Sequence, residues 1–209
     1  AYNFNGNLLD SSGNGRNATA NGTITYGVGR KGVAGTAIQF GSGNIMTPTL
    51  PVSSIWSISF WLKTNSTSLV QVMFELSSNF NNKYSFIVDL SDSSSILGKI
   101  MAGISSSSSK NLKNTNNALN DGLWKHIVII FDRTQTVQNE IKIYINNSLS
   151  ATSTYFGDNS EMSGNFISDK IYIGGRGATN AYPYLGLIDD FELFNYPLSQ
   201  TEITNLYNK

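Results

Sequence analysis

Residues 124–132 read WKHIVIIFD, and the reading of this stretch decides the fold. Successive side chains of an extended chain point to opposite faces, so Ile127, Ile129 and Phe131 share one face while Trp124, His126, Val128 and Ile130 share the other. A strand that is apolar on both faces is central and covered. Working outward, similar runs of alternating or continuous apolar residues occur at 36–40 (TAIQF), 57–64 (SISFWLKT), 69–76 (LVQVMFEL), 84–90 (YSFIVDL), 96–104 (ILGKIMAGI), 140–146 (EIKIYIN), 170–174 (KIYIG) and 185–194 (LGLIDDFELF). Gly, Asn and Ser punctuate them, and several gaps are short, as antiparallel neighbours require and strand–helix–strand units do not allow.

Composition agrees with an all-β chain. Of 209 residues, 28 are Ser, 25 Asn, 16 Thr and 19 Gly, types that favour turns and strand faces over helix interiors. Charged residues make up 13% of the chain, about half the usual share. The 14 basic and 14 acidic side chains balance, and without a Lys/Arg cluster the chain lacks the electrostatic footprint of a nucleic-acid or anionic-membrane surface. The absence of cysteine excludes a disulfide framework and a thiolate metal site. No apolar run reaches the roughly 20 residues that span a bilayer. This length suits one β-sandwich domain covering residues 1–209, and a start without Met in an already patterned segment (Tyr2, Phe4) suggests a module cut from a larger protein. Tyr2 and Phe4 are expected to pair near the last strand. Four N-x-S/T sequons, at Asn17, Asn21, Asn65 and Asn146, are no more than this composition yields by chance and carry no weight.

Two segments depart from the strand pattern. Residues 105–120 (SSSSSKNLKNTNNALN) are polar and of low complexity, and read as a surface loop. Residues 197–209 read as the one helix: Ser199 and Glu202 form a capping box, and Ile203, Leu206 and Tyr207 fall on one face. That helix is expected to dock at the sandwich edge.

The opening YNFNGNLLDSSGNGRNATANG, the strands SISFWLKT and LWKHIVIIFD, the strand IKIYINNSLSAT and the ending IYIGGRG…YLGLIDDFELFNYPLSQTEITNLY together resemble the laminin-G-like, concanavalin-A-like jelly-roll superfamily, in its bacterial and viral branch. The resemblance runs through the whole chain in order. It implies a two-sheet antiparallel jelly-roll β-sandwich with one short C-terminal helix. The leading functional expectation is a non-catalytic binding or adhesion module for carbohydrate, on the outside of a cell or of a virion. The alternative is a structural or protein-interaction domain, with a glycan or a surface protein as partner in the two cases.

Catalysis finds little support in the residues. Laminarinase-type glycosidases of this architecture carry Glu-x-Asp-x-(x)-Glu on one strand, because alternate residues share a face and retaining chemistry needs carboxyls about 5 to 5.5 Å apart. None of the five Glu (75, 140, 161, 192, 202) has Asp two positions on, and Asp190-Phe191-Glu192 lacks the third acid. His126, the only histidine, reads as a satisfied interior or edge residue, with no G-x-S-x-G nucleophile to serve. Gly174-Gly175-Arg176-Gly177 opens no helix and reads as a turn, not a phosphate loop. Trp56, Trp61 and Trp124 are expected in the core.

Two candidate sites remain. Arg176, Asn180, Tyr182 and Tyr184 lie in the connection GGRGATNAYPY. An aromatic ring can meet the apolar C–H face of a sugar while amide and guanidinium groups meet its hydroxyls; alternatively, Tyr182-Pro183-Tyr184 covers the sandwich end. The second candidate is a structural calcium. In LGLIDDFELF, strict alternation puts Asp189 on the apolar face with Leu185, Leu187, Phe191 and Leu193, where a carboxylate is costly unless paired or metal-bound. Asp189 and Asp190, with Asn5, Asp10 and backbone carbonyls around residues 21–23, would supply hard oxygen ligands. The resemblance implies a calcium in this region, with Asp more usual where Asn5 stands. The competing reading gives Asp189 the N–H groups of a β-bulge and makes Asp10 the cap of the turn at residues 11–14.

Overall fold

The computed structural model describes residues 1–77, 84–91, 93–105, 110–150, 152–156 and 164–209. Among these described residues, fifteen strands form two antiparallel sheets. In chain order they are β1 (Thr19–Asn21), β2 (Thr25–Val28), β3 (Ala34–Gln39), β4 (Asn44–Met46), β5 (Ile55–Lys63), β6 (Gln71–Leu76), β7 (Phe86–Leu90), β8 (Ile100–Ser105), β9 (Lys110–Thr115), β10 (Lys125–Asp132), β11 (Ile141–Ile145), β12 (Ser148–Leu149), β13 (Thr152–Phe156), β14 (Ile171–Ile173) and β15 (Leu187–Phe194). The eight-stranded sheet runs β1-β4-β14-β6-β7-β8-β9-β13, and the seven-stranded sheet runs β12-β11-β10-β5-β15-β3-β2. This is the jelly-roll sandwich the resemblance implies, and each of the nine quoted runs overlaps a strand. β10 is central as expected, pairing with β11 on one side and β5 on the other.

The core lies between the sheets. Ile58, Phe60 and Leu62 of β5, Ile127, Ile129 and Phe131 of β10, and Phe74 and Leu76 of β6 are inaccessible to solvent. Phe74 reaches across from the eight-stranded sheet and meets Phe60 and Phe191 edge-on, at ring separations of 5.4 and 5.5 Å. Tyr2 exchanges both backbone hydrogen bonds with Phe191, at 2.7 and 2.9 Å, so the start of the chain does pair with the last strand.

Helix α1 (Gln200–Tyr207) begins at the Ser199–Glu202 capping box. It lies across the outer face of the seven-stranded sheet, not at its edge. Leu198, Ile203 and Leu206 pack on Val128 and Ile130, the outward parity of the central strand. That apolar outer face is why the strand reads as covered on both sides. Trp56 is in the core, but Trp61 and Trp124 are only half-buried and lie outside it. Trp61 faces outward and stacks on Tyr207 of α1 with ring centres 5.7 Å apart.

The polar segment 105–120 also departs from expectation. Residues 106–109 lie outside the described residues, but 110–115 form β9, between β8 and β13. Its Asn111, Lys113 and Thr115 are buried because polar partners meet them inside: Asn111 Nδ2 donates to Val137 O at 2.8 Å and to Glu140 Oε2 at 3.0 Å, and the Lys113 ammonium donates to Gln138 O. The strand is held by hydrogen bonds from buried polar side chains, which hydropathy does not register.

Candidate functional site

The connection from β14 to β15 is built on Gly174. Its φ of +95° and the Phe40 ring, 2.0 Å from where a Cβ would stand, exclude any side chain. Beyond it Arg176 N–H donates to Ala181 O at 2.7 Å, closing a turn over Gly177–Thr179. Val72 N–H donates to Tyr182 O at 2.8 Å, which fastens the connection along the start of β6. Asn180 and Tyr182 both take left-handed backbone conformations, with φ of 54° and 53°. The result sends the two tyrosines to different environments. Tyr182 is 46% exposed, whereas Tyr184 is wholly buried beside Phe40, with its hydroxyl toward Lys63 O at 3.4 Å. Burial pushes the Tyr184 phenol well up. Tyr184 is therefore a core residue and no ligand contact.

The remaining three come together. The Arg176 guanidinium carbon stands 5.2 Å from the Tyr182 ring centre, and Arg176 Nε lies 3.4 Å from Oε2 of Glu75 on β6. Glu75 is fully buried, and that burial raises its carboxyl to about 7 despite the charge of Arg176. At this distance the contact is an ion pair, not a hydrogen bond. Asn180 and Asn21 exchange amide contacts, Asn180 Nδ2 to Asn21 O at 3.2 Å and Asn21 Nδ2 to Asn180 Oδ1 at 3.3 Å, while Asn44 Nδ2 donates to Gly177 O at 2.6 Å. Glu75 escaped the reading of the residues, where it counted only as a glutamate without an acid two positions on. Its signal was a lone charge inside the otherwise buried run QVMFEL.

The acidic candidates resolve differently. A β-bulge interrupts the β15–β5 pairing between Asp189 and Glu192, with Asp190 at φ 46° as the extra residue. Ile188 faces the core before the bulge and Phe191 after it, so Asp189 is turned to the outer face and does not join the apolar face. There Asp189 Oδ1 accepts from Asp190 N–H at 2.9 Å and Oδ2 from Arg30 N–H at 3.0 Å. Arg30 Nε donates to Asp190 Oδ2 at 2.8 Å. Asn5, Asp189 and Asp190 line one cavity of about 290 Å³ together with Arg30, Lys31 and Thr36. Asp10 does not line it: it caps its own turn, accepting from Ser12 N–H at 3.0 Å and Arg16 N–H at 3.0 Å. Residues 21–23 belong to β1 and the turn after it, and the Asn21 carbonyl serves Asn180. A calcium ion does not fit the residues present, since the Arg30 guanidinium already pairs with Asp190 and backbone N–H groups occupy both oxygens of Asp189. Among the described residues no group of three or more His, Cys, Asp or Glu side chains is set for a metal.

Asp190 and Glu192 diverge, the first to Arg30 and the second to Lys209 at 2.7 Å. His126 is buried against Trp61 and Tyr207 and shares a 2.9 Å hydrogen bond with Ser59. Desolvation lowers it to about 4, so it is neutral in the fold.

A family model described as the concanavalin A-like lectin/glucanases superfamily matches residues 32–204. No curated protein matches the chain. Among solved structures, domain 4 of AbnA, a GH43 extracellular arabinanase of Geobacillus stearothermophilus, in complex with arabinotriose, is 23% identical with a TM-score of 0.71, over 99% of this chain and 96% of that one. The binding of botulinum neurotoxin type C to two ganglioside molecules is the subject of another, 16% identical with a TM-score of 0.70; 99% of this chain spans 49% of that one. A heptameric SAP-like pentraxin from Limulus polyphemus is 14% identical with a TM-score of 0.57, over 88% of this chain and 80% of that one. Likeness at these identities establishes the fold.

Proposed function

Because the chain belongs to the concanavalin A-like lectin/glucanases superfamily, we propose that it is a non-catalytic binding module for carbohydrate. One observation carries this reading. Tyr182 presents an exposed ring at the sandwich surface, its backbone locked to β6 and a guanidinium packed on it, beside a row of asparagine amides. A rigid ring gives a pyranose or furanose an apolar platform without loss of freedom on binding, and amides offer donors and acceptors to its hydroxyls.

The relatives support the reading without assigning it. The arabinanase domain, matched along nearly its whole length, is bound to arabinotriose, which makes short neutral oligosaccharides the first ligands to try. Ganglioside binding belongs to a toxin chain of which this domain spans about half, so it bears on this chain less directly. Absence of catalysis is supported by the acids themselves. Asp190 and Glu192 are drawn apart by separate cations, Asp189 is held by backbone N–H groups, and Glu75 has no second carboxylate beside it among the contacts described. The extracellular arabinanase and the toxin among the relatives support a place outside the cell or on a virion. No helix among the described residues is long and apolar enough to cross a membrane.

The test is a glycan array with the isolated domain and with Tyr182→Ala. Binding by the domain and roughly five- to thirtyfold weaker binding by the variant is the expected result, since loss of a stacking ring removes roughly 1 to 2 kcal/mol. Affinity for a protein partner with no glycan bound would favour a protein-interaction module, and release of reducing sugar would refute the non-catalytic reading.

A further inference from the structure

We propose that Glu75 makes the Tyr182 site selective for uncharged, hydroxyl-rich glycans over sialylated or uronic-acid sugars, by cancelling the charge of Arg176. The inference rests on the carbohydrate-binding reading of that site and deepens it.

Arg176 is the one charged residue in the connection 174–184. An arginine beside an exposed aromatic ring would ordinarily favour an acidic sugar, because its planar fork binds a carboxylate through two parallel hydrogen bonds. Here the charge already has a partner. Arg176 Nε faces Glu75 Oε2 at 3.4 Å, and the guanidinium carbon lies against the Tyr182 ring at 5.2 Å. Glu75 cannot swing away to find another partner, because it is fully buried on β6 between the register partners Tyr172 and Ile87. Burial also removes water from its side of the pair, so the compensation is little screened by solvent or salt. An acidic sugar drawn to Arg176 would have to approach a carboxylate already in place, at a cost in like-charge repulsion. The other polar groups at its surface are uncharged, the amides of Asn180 and Asn21 and the hydroxyls of Thr179 and Tyr182, while the wholly buried Asn44 amide holds Gly177 O from within. A neutral polyol is the ligand that matches amides around a ring with no net charge behind it. Glu75 is thus a positioning residue, acting on the ligand through Arg176.

The experiment measures affinity for arabinotriose and a neutral glycan array against 3′-sialyllactose and a trigalacturonate, at low and high salt. It is run at pH 8, above the value of about 7 to which burial raises Glu75. The wild-type domain is expected to bind neutral probes with little salt dependence and to bind the acidic probes more weakly. Glu75→Gln frees Arg176, so the acidic-to-neutral ratio should rise roughly tenfold and the gain should vanish at high salt. Preferred binding of acidic probes by the wild type overturns the proposal, and so does a folded Glu75→Gln with an unchanged ratio. If that variant fails to fold, the wild-type selectivity and its salt dependence decide alone. A wild-type domain that binds no glycan of either kind overturns the parent reading and this one with it, a result distinct from binding with the wrong selectivity.

Discussion

Arg30 and Asp190 meet at 2.8 Å across the outer face of the seven-stranded sheet, joining the turn between β2 and β3 to the bulge of β15. The same guanidinium lies 4.7 Å over the Trp61 ring, and the backbone N–H of Arg30 reaches Asp189. One residue therefore serves both carboxylates that stand in the cavity.

That arrangement fixes the expected response to metal. The melting temperature of the wild-type domain should be the same in millimolar calcium and in excess chelator, because the carboxylates already have a cation. Arg30→Gln removes it. This variant should melt lower than the wild type and recover part of the loss in calcium but not in chelator, by mass action on a newly exposed acidic pair. Differential scanning fluorimetry reads both, and calcium-dependent melting of the wild type would contradict the assignment.

Two buried groups should drive the pH dependence in opposite directions. Burial raises Asp189 from its ordinary 3.8 to about 6, so its contribution to stability is full below about 3.8 and lost as pH rises through 6. Desolvation lowers His126 from 6.5 to about 4, so its contribution is present above 6.5 and lost as pH falls through 4. The windows overlap and the slopes oppose. Asp189→Asn should leave a domain that loses stability more steeply than the wild type between pH 6.5 and 4, whereas His126→Gln should leave one that gains stability over that range. Urea midpoints at half-unit pH intervals measure both, and slopes of the same sign in the two variants would contradict the account.

Gly174 should be intolerant of substitution. A Cβ there would stand 2.0 Å from the Phe40 ring, and the residue has φ +95°. Gly174→Ala should cost about 2 to 4 kcal/mol, from backbone strain together with displacement of a packed ring. Glycan affinity should fall further than stability alone explains, because the Tyr182 platform hangs from this turn. A variant with wild-type melting and binding would remove Gly174 from the description of the site.

Most of the sandwich was legible because its large residues obey the period of a strand: WKHIVIIFD, SISFWLKT and IKIYIN alternate without error, and their pairing is simple. Three features defeat that logic for separate physical reasons. β9 is buried through hydrogen bonds, so Asn111 and Lys113 look like loop residues. The bulge at Asp190 adds one residue to β15, so counting parity from Phe191 back to Asp189 gives the wrong face. The neighbours Tyr182 and Tyr184 have the same chemistry, and only the left-handed backbone at Tyr182 separates a surface ring from a core ring. Glu75 and Arg176 are 101 positions apart and meet only because β14 and β6 are adjacent strands.

Tyr2 is paired to Phe191, and Lys209 is tied to the neighbouring Glu192. Both ends of the chain thus grip consecutive residues of one strand. Tension applied at the two ends would enter and leave the molecule through that short span of β15, opening the Lys209–Glu192 and Tyr2–Phe191 clasps in turn while the two sheets carry almost no load. The sandwich is in this sense mechanically bypassed: a pull between Tyr2 and Lys209 would peel the first residues and α1 before it strained the Tyr182 platform.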